Sequence, residues 1–166
     1  MKDFLFFGLG LCATLSVSAV PLNPDSSVPL PERLGPVLGI FVDTEIGVFS
    51  EGSPPNNLTG SVFSSVISND PSNPYSGLTF VYEVLNLSLL ITIGEFSVSG
   101  FDQFQVDASF APPCDGPALA NRSADGHVIT FDFGTEPLGV SALSGLLVLQ
   151  TSALDYTEVS ATIGNG

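Results

Sequence analysis

The sequence predicts an all-β fold: a two-layer antiparallel β-sandwich, Ig-like or jelly-roll-like, of about 8–9 strands. Three observations carry that reading. Apolar and polar residues alternate in run after run, as with Leu78, Phe80, Tyr82 and Val84 against Thr79, Val81 and Glu83, a period of two that belongs to strands. Turn chemistry separates the runs. Asp70-Pro71, Asn73-Pro74 and Asp125-Gly126 combine side chains that cap their own backbone with residues of fixed or left-handed φ. Beyond the N-terminus no segment keeps a helical period over about ten residues, and the strand–turn–strand order at spacings of roughly 8–15 suits a sandwich better than a βαβ fold.

The elements follow in order. Residues 20–36 contain Pro21, Pro24, Pro29, Pro31 and Pro36 and read as an extended, polyproline-like lead-in rather than a folded element. A single sandwich domain then spans 37–166. Residues 37–42 form its first strand, Asp43-Thr44-Glu45 interrupts it, and 46–49 form the next. Glu51-Gly52-Ser53-Pro54-Pro55-Asn56-Asn57 makes a loop. Residues 62–67 and 78–84 are paired strands joined by the turn-rich stretch 68–77, and the rest of the chain is arranged around this unit. Residues 87–94 are apolar without a clear period, as a tight turn or one helical turn would be. Phe96 and Val98, then Val106, Ala108 and Phe110, mark two more inner faces, and 111–117 is loop. Asp125-Gly126 is the sharpest hairpin signal and leads into Ile129, Phe131 and Phe133, with Thr130 and Asp132 opposite. Residues 146–149 are continuously apolar, as in a strand covered on both faces. A helical turn at 152–155 precedes a last strand carrying Val159, Ala161 and Ile163. The expected core is Val62, Phe80, Tyr82, Phe96, Phe110, Ile129, Phe131, Leu147 and Val159. Thr79, Glu83, Thr130 and Asp132 are expected on outer faces.

The N-terminus carries a secretory signal. Lys2 precedes a short apolar run, and Val17 and Ala19 supply small residues at −3 and −1, so residues 1–19 read as a signal peptide cleaved after Ala19. Cys12 follows Leu11, whereas lipoprotein cleavage needs a small residue there, which argues against lipidation. No later run approaches the ~18–20 apolar residues of a transmembrane helix. Cleavage leaves Cys114 as the one thiol, so the mature chain holds no internal disulfide. Its core must suffice alone, as about 147 residues (166 minus 19) can.

Charge excludes partners. Seventeen acids face three bases, for a net charge of −14. Nucleic acid binding needs a basic patch that displaces counterions, and an anionic membrane surface is disfavoured for the same reason. Surface carboxylates could hold calcium loosely, yet the oxygen clusters calcium requires are not spelled out in the sequence. No cofactor is otherwise indicated.

A family resemblance rests on several stretches. Asn69-Asp70-Pro71-Ser72-Asn73-Pro74 precedes Gly77-Leu78-Thr79-Phe80-Val81-Tyr82-Glu83-Val84. Asn121-Arg122-Ser123-Ala124-Asp125-Gly126 precedes the Phe131-Asp132-Phe133 strand. Ser144-Gly145-Leu146-Leu147-Val148-Leu149-Gln150-Thr151 leads to Tyr156-Thr157. Over about 110 residues from Val48 onward the sequence resembles the mature domain of secreted bacterial proteins that carry a C-terminal PEP-CTERM sorting tail. The resemblance implies export, β-rich architecture and a place at the cell surface or in the extracellular exopolysaccharide matrix, with exopolysaccharide or other surface proteins as partners. It implies no reaction. The tail itself, Pro-Glu-Pro followed by an apolar helix and basic residues, is missing, which leaves two readings: a chain cut short after Gly166, or a member secreted without an anchor.

Residue chemistry points away from catalysis. His127 is the one histidine and Cys114 the one mature thiol, and nothing beside either signals an activated thiolate. Asp43 and Glu45 share a side if their run is extended, and Glu83 and Asp132 sit on strand faces. The acids are nonetheless spread thinly for a glycosidase pair. There is no G-x-S-x-G, phosphate loop or H-E-x-x-H. Asn57, Asn86 and Asn121 open sequons that a bacterial chain would carry by chance. The expected function is a non-catalytic secreted module of a bacterial surface or matrix. The alternative, a carbohydrate-binding module, would need an exposed aromatic platform. With no Trp and only Tyr75, Tyr82 and Tyr156 available, Tyr75 in the long loop is the candidate ligand contact, set against a plain role as loop anchor.

Overall fold

A strand of alternating residues has one apolar face to bury, and this chain buries its faces between two antiparallel sheets. The computed structural model describes residues 19–33, 35–114 and 116–166, so apart from Ala19 the expected signal peptide lies outside the described residues. Among these there are eleven strands and no helix: β1 (Val20–Pro21), β2 (Ser26–Pro29), β3 (Ile40–Ser53), β4 (Asn56–Ser68), β5 (Thr79–Asn86), β6 (Ile93–Val98), β7 (Val106–Ala111), β8 (Leu119–Arg122), β9 (Ile129–Asp132), β10 (Leu146–Thr151) and β11 (Ala161–Asn165). One sheet has the order β1-β7-β10-β5-β4-β3, the other β11-β6-β9-β8-β2. All the strand pairings are antiparallel.

The core lies where β5, β10 and β7 face β6, β9 and β8. Tyr82 pairs across the ladder with Leu147, and Phe96 with Phe131. Val84, Phe96, Ile129, Phe131, Leu147 and Leu149 are fully buried. The rings of Phe96 and Phe131 stack at 6.3 Å, and Tyr82 tilts onto Phe96 at 5.4 Å, geometry that adds to the area term. The Asp125-Gly126 hairpin forms as read. Gly126 takes a φ of +75° and joins β8 to β9, while the Asp125 carboxylate accepts from the Ser123 hydroxyl and the His127 amide.

The structure corrects several expectations. Residues 20–36 are extended but folded into the sandwich: β1 and β2 are edge strands of opposite sheets, and Leu22 and Leu30 are buried. With β8 they raise the strand count to eleven. Asp43-Thr44-Glu45 does not end a strand; β3 runs through it, with a bulge between Phe41 and Asp43 absorbing the irregularity. No helical turn forms at 87–94 or 152–155. Val159 precedes β11 and is 47% exposed. Val62, Phe80 and Phe110 are only partly buried. Thr79 is fully buried, because the outer face of the first sheet is itself covered. The connection from β2 to β3 passes over it, with Arg33, Pro36 and Val37 enclosing about 540 Å³ against the outward-facing Ile67, Val81 and Ala111. The 69–77 loop seals the rest.

Candidate functional site

The inner face of the first sheet is closed on one side and open on the other. Over β5, β10 and β7 it is sealed, with Val84, Leu147, Leu149 and Ala108 at 0% exposure. Over the 62–66 stretch of β4 and the part of β3 paired with it, the face is left partly exposed. Cross-strand pairing puts Gly47 beside Val62, Glu45 beside Ser64 and Asp43 beside Val66, and Val62, Ser64, Val66 and Phe49 are all partly exposed. The result is a lateral groove of about 660 Å³ between the sheets. Its floor is Phe49, Val62, Val66, Phe80 and Tyr82, and its far wall is Val98, Phe101, Ala161 and Ile163. Phe80 meets Phe101 edge-on at 5.6 Å at the inner end.

The rim is acidic. Asp43 and Glu45 come from β3, and Asp155 and Glu158 from the segment leading into β11. That segment is tied across the mouth by Tyr156, whose hydroxyl donates to Asp43 Oδ2 at 3.2 Å. Burial, then the bond to Asp43 and the charges of Asp43, Asp155 and Glu45, raise the Tyr156 phenol above its ordinary value. The shared side of Asp43 and Glu45 was legible in the sequence. Their meeting with Tyr156 was not, since it joins residues 113 apart. Chemically the groove offers apolar contact below and carboxylate acceptors above, with Glu45 exposed and Asp43 half-buried.

Phe80, Tyr82 and Tyr156, from the stretches that carried the family resemblance, line the groove, while several polar residues do structural work away from it. In the 69–77 loop Asp70 Oδ1 accepts from the Ser72 amide (3.0 Å) and hydroxyl (2.6 Å), and Oδ2 from Thr79 Oγ1 (2.9 Å) and Gln150 Nε2 (3.1 Å). Burial alone would raise this carboxyl, but the donors from Ser72, Gln150 and Thr79 outweigh it and hold Asp70 below the usual range. Asn73 Nδ2 lies within 3.3 Å of Gly77 O, Leu78 O, Thr79 Oγ1 and Thr151 O. Asn86 Nδ2 spans Ile91 O, Leu138 O and Gly139 O. Arg122, buried in β8, donates to Gly126 O, Leu22 O, Phe101 O and Phe104 O. Asp70 gathers donors of the loop and of β10, and Asn73, Asn86 and Arg122 each stitch loops together by donating to several backbone carbonyls.

The other candidate residues are not brought together. Tyr75 is half-buried on the outer-face loop, where its hydroxyl donates to Asp107. Burial and that bond push its phenol up to about 12. Cys114 lies in the loop entering β8 and His127 in the turn leaving it, so the strand separates them. His127 Nδ1 sits 3.2 Å from Asp102 Oδ1 at an exposed position, and the hydrogen bond from His127 holds Asp102 below its ordinary value. Glu83 and Asp132 are on different sheets. The Asn86 sequon is spent internally, while Asn57 and Asn121 are partly exposed strand residues. Among the described residues no three His, Cys, Asp or Glu side chains converge as a metal site requires, and no helix is long and apolar enough to cross a membrane. No family model, curated protein or solved structure matches the chain.

Proposed function

We propose that this chain is a non-catalytic, secreted β-sandwich module of a bacterial cell surface or extracellular exopolysaccharide matrix, and that the lateral groove is its binding surface. One observation carries the reading: the inner face over β3 and β4 is open where the same face over β5, β10 and β7 is closed. Apolar area left wet forgoes ~25 cal/mol per Å², and a partner that covers Phe49, Val62 and Val66 recovers it. The exposed carboxylates of Glu45, Asp155 and Glu158 at the rim favour recognition over acid–base chemistry, since a general acid needs a shielded carboxyl. The signal-like N-terminus supports export, and the family resemblance supports the surface or matrix setting.

The test uses exported protein. Its N-terminus should be Val20, and it should fractionate with the cell envelope or matrix. Gly47→Leu starts a side chain at a point with no other atom within 4 Å, so it fills the groove without straining the fold. That variant should keep its melting temperature and lose matrix retention. Retention unchanged in Gly47→Leu, or Met1 intact on exported protein, would overturn the reading.

Tyr156 favours carbohydrate binding as the second reading. The residue is 37% exposed at the mouth of the groove, beside the carboxylates of Asp43 and Glu45, which offers an aromatic side chain next to hydroxyl acceptors. On a glycan array a specific signal lost in Tyr156→Ala and kept in Tyr75→Ala supports it. The reverse pattern moves the sugar site to the outer-face loop.

A further inference from the structure

We infer that the groove takes an extended, basic segment of a partner protein, added as a further strand of the second sheet along β11. The inference rests on the groove being the binding surface and names its partner as protein.

Three features of the structure converge on a strand. First, among the described residues β11 pairs with β6 alone, so its other edge presents backbone N–H and C=O groups outward. An edge of this kind is a template for another chain. Five residues, Ala161–Asn165, offer about 16 Å of backbone at ~3.3 Å per residue. Second, a strand laid on that edge would cover the open inner face of the first sheet, because Ala161 and Ile163 share the groove with Gly47, Phe49, Val62 and Val66. Its inward side chains would reach that apolar floor. The six-stranded sheet would then face six strands instead of five. Third, Gly47, on the edge strand β3, leaves the outer side of the groove free of a side chain, with nothing within 4 Å of where one would start.

Charge selects the occupant. Asp43, Glu45, Asp155 and Glu158 line the rim. The cations of the described residues, Arg33 and Arg122, are both buried, and removal of Lys2 and Asp3 with the signal leaves 16 acids against 2 bases, still −14. A second copy would bring like charge to this rim. A strand alternating apolar residues with Lys or Arg meets it with complementary charge, apolar side in and basic side out.

The probe is a synthetic seven-residue peptide alternating Val with Lys, compared with the same peptide N-methylated on the amides of one edge. N-methylation keeps charge and hydropathy and removes strand pairing. Binding to the mature chain is read by fluorescence anisotropy, and hydrogen exchange is followed at residues 161–165. The unmodified peptide should bind and protect β11 amides. N-methylation and Gly47→Leu should each weaken binding at least about tenfold, and Asp43→Asn with Glu45→Gln several-fold, with affinity falling as salt is raised from about 50 to 500 mM. Equal binding by both peptides would reduce the effect to charge and overturn the inference. A concentration-dependent dimer in light scattering, lost in Gly47→Leu, would replace the partner by a second copy and also overturn it. If matrix polysaccharide binds in a Gly47-dependent way while neither peptide does, the strand inference falls and the binding-module reading stands. If nothing binds in that way, both fall.

Discussion

Arg122 gives the sharpest test of how this sandwich is held. It is a cation 5% exposed whose donors all go to backbone carbonyls: Nε to Gly126 at 3.0 Å, Nη1 to Leu22 at 2.8 Å, Nη2 to Phe101 at 2.5 Å and Phe104 at 2.9 Å. Burial lowers its pKa, with the charge of Asp102 acting in the opposite direction. Arg122→Ala removes the guanidinium and leaves three acceptors unmet, Gly126, Leu22 and Phe104, since Phe101 O keeps the Phe104 amide. A buried unsatisfied group costs ~1–3 kcal/mol, so full exclusion of water would give a loss of roughly 3–9 kcal/mol. Phe104 is half-buried and the turn at Gly126 is at the end of the sandwich, so water can reach part of the set. The expected loss is therefore about 3–5 kcal/mol, a large share of the ~5–15 kcal/mol of a typical domain. Arg122→Lys keeps the charge but has no planar fork, so about half that loss should remain. Urea unfolding of the mature chain, followed by circular dichroism, reads both. A loss below about 1 kcal/mol for Arg122→Ala at an unchanged slope would refute the account.

Asn86→Ala strips the Ile91 and Gly139 carbonyls of their side-chain donor and the Ser88 amide of its acceptor, while Leu138 O keeps the Ile93 amide, and should cost ~2–4 kcal/mol in the same assay; a neutral result would mean water replaces it. Phe131→Ala, in the centre of the core, should cost about 3–5 kcal/mol, and a loss under about 1 kcal/mol would contradict its 0% exposure. Asp70 titrates below its unfolded value, so the stability it confers is complete above the ordinary Asp value of about 3.9 and is lost as pH falls through the lower folded value. Wild type should therefore lose stability more steeply than Asp70→Asn between about pH 5 and pH 2. Comparing the two cancels the opposite contributions of Glu83 and Asp107, which burial raises. Parallel curves would remove Asp70 from the acid response.

Period and turn chemistry made the centre of the fold legible. Phe80, Tyr82 and Val84 face inward as their alternation says, and Asp125-Gly126 turns as that dipeptide should. Local pattern failed where the cause was distant. Thr79 sits on a polar face but is buried, because the 69–77 loop folds back over it: Asp70 and Asn73 bond its hydroxyl and are themselves tied to Gln150 and Thr151 of the distant β10. The segment Leu119-Ala120-Asn121-Arg122 hides its inward face, since the residue that ought to be apolar is an arginine satisfied by four carbonyls. Ser26-Ser27-Val28-Pro29 is an edge strand, where a proline is tolerated. Val159 keeps phase with Ala161 and Ile163, yet pairing begins only at Ala161. Of the candidate site, Asp43 and Glu45 on one face could be read from spacing. The open inner face could not, because it depends on elements distant in sequence meeting across the groove.

The distribution of polar anchors leaves the groove as the least tied side of the sandwich, which suits the partner proposed for it. Among the described residues Cys114 is the one cysteine and it is free, so loops there are fixed by side chains with several donors aimed at carbonyls. Asn73 holds the outer-face loop to β10, Asn86 holds the loop after β5 to the 138–139 turn, and Arg122 holds the N-terminal strands and the 101–104 link. These act on the closed regions of the sandwich. At the groove the comparable tie is a single exposed hydroxyl, Tyr156 to Asp43, on a segment that is exposed from Leu154 to Ser160. A bond of that kind contributes only ~0.5–1.5 kcal/mol, so displacing it for a partner costs little. The anchored regions can then stay as they are while the β3 and β11 edges accommodate what binds between them.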